Sequence, residues 1–210
     1  MVNIDKFIGR VKDYRRALQI VFIIHIIMFI IAFCAAILGR STSVLADSLD
    51  FIGDAISYAI SLYVLKTGML FRAIVSIAKA LTMFTFGIPV LAYAIIRFNE
   101  GSLPDPQIMG IAGWLGIIAH IICIYYLYKF RHGDSNQLSV WICTINDLIG
   151  NILTVIASFL VLQTGSILPD IISAVMIVVL AIFGAFIILR QAIKEIKAYR
   201  LGHECTKIAT

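Results

Sequence analysis

Asp50 and Asp54 stand one helical turn apart in STSVLADSLDFIGDAISYAISLYVL, with Asp47 just before them. The stretch reads as a membrane span. An ionisable side chain at bilayer depth costs roughly 3 kcal/mol even on lenient insertion scales, so three acids in one span are a functional signal. Cys143 and Asp147 repeat the i, i+4 spacing in a second apolar stretch. Two helices that each present a pair of metal-type ligands make the walls of an intramembrane cation site.

Each residue of an α-helix advances about 100°, so Asp50 and Asp54 lie about 40° apart and Asp47 shares their face. Cys143, Asn146, Asp147, Gly150 and Asn151 form one polar stripe in the same way. Asp50, Asp54, Cys143 and Asp147 together offer three carboxylates and a thiolate. Zinc accepts tetrahedral ligation of that kind, as do cadmium and cobalt. Magnesium and calcium prefer all-oxygen shells, and Cys143 argues against them. Asp47, Asn146 and Asn151 are read as groups that shape the site, bond between helices or line a proton route. Gly53 and Gly150 lie on or beside these faces and allow close helix approach.

Blander roles compete with this reading. Cys143 taken alone is a small packing residue, a common fate of buried cysteine. A salt bridge from Lys79 is set aside as the main role of the span-2 acids, because one lysine does not neutralise three acids. Lys79 itself is left to snorkel or to pair with Asp147 or Asp170. His25 and His120, each alone on an apolar helix, are read as packing or proton-path residues and not as ligands. His203 and Cys205 near the carboxy terminus are two residues on a terminal segment and carry little weight.

The elements that must position these residues follow from composition. The chain has 210 residues, 61% of them hydrophobic, and a mean hydropathy of +0.99. That excludes an ordinary soluble domain and indicates an all-α polytopic membrane protein. Apolar runs place six transmembrane helices near 18–39, 43–66, 72–97, 107–129, 137–163 and 168–190. The second and fifth, which carry the polar pairs, are expected to fail a strict hydropathy cut-off. The four cysteines are scattered without a CxxC, so disulfides are not expected. The domain reading is a cytosolic amphipathic leader at 1–17, a transport domain at 18–190 and a short basic cytosolic tail at 191–210, without a soluble carboxy-terminal domain.

Of the 17 Lys and Arg residues, fourteen fall on the face shared by the two termini, the 2–3 junction and the 4–5 loop. Arg40 and Arg97 lie opposite and Lys79 is within span 3. Both termini are therefore read as cytosolic. The net charge of +5 is a topology signal, and no nucleic-acid partner is expected. Spans 2 and 5 are each the middle of a three-helix set of opposite topology, a geometry compatible with an inverted repeat.

At these residues the chain resembles the cation diffusion facilitator family of divalent-metal/proton exchangers. Ser43 to Asp47 (SVLAD), followed by Asp50 and Asp54, matches the span-2 pattern of that family. Cys143, Asp147, Gly150 and Asn151 match its span-5 pattern. Gly68 to Arg72 resembles its start of span 3, and Leu168-Pro169-Asp170 its acid-bearing start of span 6. The resemblance covers nearly all of 18–195. It implies a secondary active transporter, not an enzyme, that exports zinc or a related metal from the cytosol in exchange for protons, with no prosthetic group. A homodimer formed without the usual carboxy-terminal contact is expected, and the compactness of the chain alone suggests a plasma (inner) membrane location. Cysteine stands where span 5 of the family usually has histidine, Ile74 stands where an acid often follows the span-3 arginine, and Lys79 is an addition.

Two other classes fit the same sequence. One is a non-transporting membrane partner that regulates a full-length exporter; four buried polar ligands argue against it. The other is a cation channel built from symmetric copies.

Overall fold

Several helix starts in this chain are set by side chains that accept from the free N–H groups of the first turn. The computed structural model describes the backbone of residues 4–65 and 67–208, and the side chains of 11–65, 67–68 and 70–201. Six long helices fill it: α1 (Ile4–Gly39), α2 (Thr42–Val64), α3 (Met69–Glu100), α4 (Pro106–Leu127), α5 (Ser135–Thr164) and α6 (Leu168–Ile208). No strand occurs among the described residues. Asp105 caps α4 by accepting from the N–H groups of Gln107 and Ile108 at 2.9 and 3.1 Å, with Pro106 in the first turn. Asp134 caps α5 through Gln137 N at 3.0 Å. Gly101 and Gly165 end α3 and α5 with φ of 63° and 59°, the left-handed turn that glycine adopts without penalty.

The start of α2 is held by a cluster of hydrogen bonds to another helix. The carboxylate of Asp170, from the first turn of α6, accepts from Ser41 Oγ (2.7 Å), Thr42 N (2.7 Å), Ser43 N (3.0 Å) and Ser43 Oγ (2.6 Å). An acid at a helix N-terminus meets both the free N–H groups and the positive end of the helix dipole. Asp170 is thus committed to holding α2, and it does not pair with Lys79.

The helices pack as a closed ring in the order α1, α2, α3, α6, α5, α4, with α2 and α5 also touching across it. Large apolar side chains such as Ile30, Leu38, Ile88, Ile95, Phe183 and Phe186 point outward, as a lipid-facing surface requires. Five helices are long and apolar enough to cross a membrane: α1, α3, α4, α5 and α6. α5 is apolar enough, against the expectation that it would fail, because Asp147 is its single charged residue. α2 does not meet it; its 23 residues hold three acids and four serines.

α1 runs unbroken through the described part of the segment read as a leader, and α6 continues past residue 190 to Ile208. The side chains of Lys66, His203 and Cys205 lie outside the described residues.

Candidate functional site

α2 and α5 face each other across the ring, and their polar stripes turn inward. Asp47, Asp54, Cys143, Asp147 and Asn151 are all buried. Asp47 Oδ2 accepts from Thr154 Oγ1 at 2.8 Å, a bond that ties α2 to α5. Its other oxygen faces Gly150, where a β-carbon would stand 3.2 Å from it. Gly150 therefore lets α2 approach α5 closely. Gly53 does the same for α3, since a β-carbon there would come 2.5 Å from the Phe86 ring.

Asp54 and Asp147 are neighbours in the centre of this chamber. The Tyr58 hydroxyl donates to Asp54 Oδ2. Lys79, reaching in from α3, places Nζ 3.5 Å from Asp54 Oδ1. This corrects the sequence reading: the lysine salt bridge that charge counting set aside is present, and its partner is neither Asp147 nor Asp170. One lysine does not neutralise three acids, yet it needs only to reach one of them.

The opposite side of the chamber is closed by α1 and α4. His25 Nε2 lies 3.9 Å from Asp54 Oδ2, and His120 Nε2 lies 3.5 Å from Asp147 Oδ2. Both histidines are essentially inaccessible, at 0% and 1% exposure. Sequence reasoning left them out, and the structure brings both to the acids. A signal for them existed: each sits near the middle of an apolar span, where any ionisable side chain is a functional candidate.

The other half of the expected ligand set lies beside the same acids, on the α3 and α6 side. Asp50 is half-buried and lines a narrow cleft with Leu49, Met83, Phe86, Gly87 and Ile177, within electrostatic range of Asp147, Asp47 and Asp54. Cys143 Sγ lies 3.7 Å from Met83 Sδ, in an apolar cluster with Ala80, Ala185 and Ile188. Asn146 donates to the Leu180 carbonyl of α6 at 3.1 Å. Asn151 Nδ2 donates to the Asp147 carbonyl at 2.7 Å and lies 3.4 Å from His120 Nδ1. Asp54 and Asp147 are therefore shared between two sides: Asp50 and Cys143 toward α3 and α6, His25 and His120 toward α1 and α4.

Membrane-length helices around a buried group of carboxylates, imidazoles and a thiol define an integral membrane protein built to handle cations. The chain belongs to the cation efflux family: the cation efflux transmembrane domain matches residues 18–196. Members of that family transport divalent metal ions. A search of curated proteins found no match.

Proposed function

We propose that this protein exports a divalent metal ion, zinc first and cadmium or cobalt next, from the cytosol in exchange for protons. The observation that carries the reading is the buried pair Asp54 and Asp147, held opposite each other on α2 and α5 in a chain of this family. Two carboxylates together match the charge of a divalent cation. A metal ion requires ionised carboxylates, so metal and protons compete for the same oxygens, and binding one releases the other. A rearrangement of α2 and α5 that opens the chamber to each side in turn converts this competition into antiport.

Asp50 and Cys143 complete the proposed ligand set from the α3 and α6 side of the same acids. Asp47 and Asn151 shape the site, and Asn146 holds α5 to α6. In this reading α2 also crosses the bilayer, shielded by its neighbours, which gives six spans with both termini cytosolic in a plasma (inner) membrane. The positive-residue bias supports that orientation. The transporter acts as a homodimer. The alternative of a non-transporting partner of another exporter is disfavoured by the buried acids.

Reconstitution in liposomes tests the proposal. Zinc uptake should depend on an imposed pH gradient and vanish in Asp54→Ala. Folded wild-type protein that moves no zinc, cadmium or cobalt under any gradient would overturn it.

A further inference from the structure

We propose that His25, His120 and Asp147 form a second coordination station for a transition-metal cation on the α1/α4 side of the chamber, with Asp54 as its fourth donor. The inference rests on the transport reading, since a divalent cation must enter the chamber to reach it. One donor atom from each of His25, His120 and Asp147 lies within 4.8 Å of the others. His25 Nε2 is 3.9 Å from Asp54 Oδ2. A tetrahedral zinc ion with nitrogen and oxygen ligands at about 2.0–2.2 Å spaces its donors by roughly 3.4 Å. Closing His25, His120 and Asp147 on an ion therefore takes side-chain movements of about 1 Å on an unchanged backbone, and Asp54, outside that group of three, joins from the His25 side.

The hydrogen bonding of the two histidines has the form that ligation requires. His25 Nδ1 lies 2.8 Å from the Val21 carbonyl, and His120 Nδ1 lies 2.9 Å from the Gly116 carbonyl. A carbonyl only accepts, so each Nδ1 carries the proton and each Nε2 keeps a lone pair facing the acids. Metal-bound histidines are oriented by this same outer bond. The inner atoms are left wanting. His120 Nε2 and Asp147 Oδ2 are buried without a hydrogen-bond partner among the described residues. His25 Nε2 has the Tyr58 hydroxyl at 3.4 Å, but that hydroxyl gives its proton to Asp54. A packing histidine would have its nitrogens satisfied.

The rings are also held in place. Phe51 stacks on His120 with centroids 4.9 Å apart and meets His25 edge-on at 5.4 Å, and the two imidazoles stand at 87°. Lys79 meets Asp54 at Oδ1, whereas the histidine side meets Oδ2, so the lysine does not occupy the station. Two neutral imidazoles and two carboxylates carry the charge that a divalent ion cancels. That donor set favours zinc, cobalt or nickel over magnesium or calcium. Because Asp54 and Asp147 also serve the Asp50/Cys143 side, the two stations are alternatives around shared oxygens, and a cation passes between them by exchanging the remaining ligands.

The test is X-ray absorption at the zinc edge on purified, tag-free protein in detergent, in a His132→Ala, His203→Ala background so that His25 and His120 are the remaining histidines. Imidazole scattering from bound zinc is expected, and the further His25→Ala, His120→Ala variant should lose it together with more than about tenfold in zinc affinity. Cys143→Ala should retain the imidazole signal. Zinc bound with no imidazole in the parent protein overturns the inference and leaves the transport reading standing. Folded protein that binds neither zinc nor cobalt overturns both. The parent spectrum decides the matter even if the double histidine variant does not fold.

Discussion

Lys79 Nζ stands 3.5 Å from Asp54 Oδ1, so a cation borne by α3 already occupies one face of the central acid of α2. The ammonium also lies 5.1 Å from the centre of the Tyr58 ring, and that tyrosine donates to the same carboxylate. Lysine, tyrosine and aspartate form one buried unit. A divalent ion that takes both oxygens of Asp54 must displace the lysine.

Removing Lys79 should therefore have opposite effects with and without metal. Breaking a buried ion pair by deleting one partner costs about 3–5 kcal/mol, because the other charge is left unpaired. Lys79→Met is expected to lower the unfolding temperature of metal-free protein in detergent and to gain more from added zinc than wild type does. An unfolding temperature equal to wild type without metal would show that the pair stabilises nothing.

Asp54→Asn and Asp147→Asn should each reduce zinc uptake by more than about tenfold while leaving the protein inserted and helical. Uptake in liposomes beside circular dichroism of the same preparation checks both halves of that statement. Wild-type rates in either folded variant would remove the site from α2 and α5.

Zinc binding should weaken as the medium is acidified. Metal displaces protons from shared oxygens, so a plot of log affinity against pH between about pH 6 and 8 is expected to rise with a slope of about one to two. Equilibrium competition with a chromophoric chelator measures it, and a flat line would separate metal binding from proton release.

Cys143 lies 3.7 Å from Met83 and also neighbours Lys79, on the α3 side of Asp54 and Asp147. Cys143→His should keep transport and shift preference toward zinc over cadmium, because thiolate is the softer donor. An unchanged preference in competition uptake would make Cys143 a packing residue.

Asp170→Ala should fail in a different way from the chamber variants. Its carboxylate accepts four hydrogen bonds at the start of α2, and bonds to a charged group are worth about 1.5–3 kcal/mol each. Loss of thermal stability and greater protease sensitivity are expected, with Asp170→Asn intermediate. A stable Asp170→Ala protein would show that Ser41 and Ser43 cap α2 unaided.

Much of this protein is determined by local sequence. Apolar runs of membrane length, the acid and glycine caps, and the i, i+4 pairs are properties of single helices, so six helices and the inward stripes of α2 and α5 are legible without a fold. The assignment of partners is not. Asp54 belongs with Lys79 and His25, Asp170 with Ser41 and Ser43, and His120 with Asp147, and each of these contacts joins different helices. Periodicity says which way a side chain faces on its own helix and is silent about the neighbour it meets. That choice is made by the ring order of the helices, which brings α1 and α4 against the acids and turns two solitary histidines into one side of the chamber.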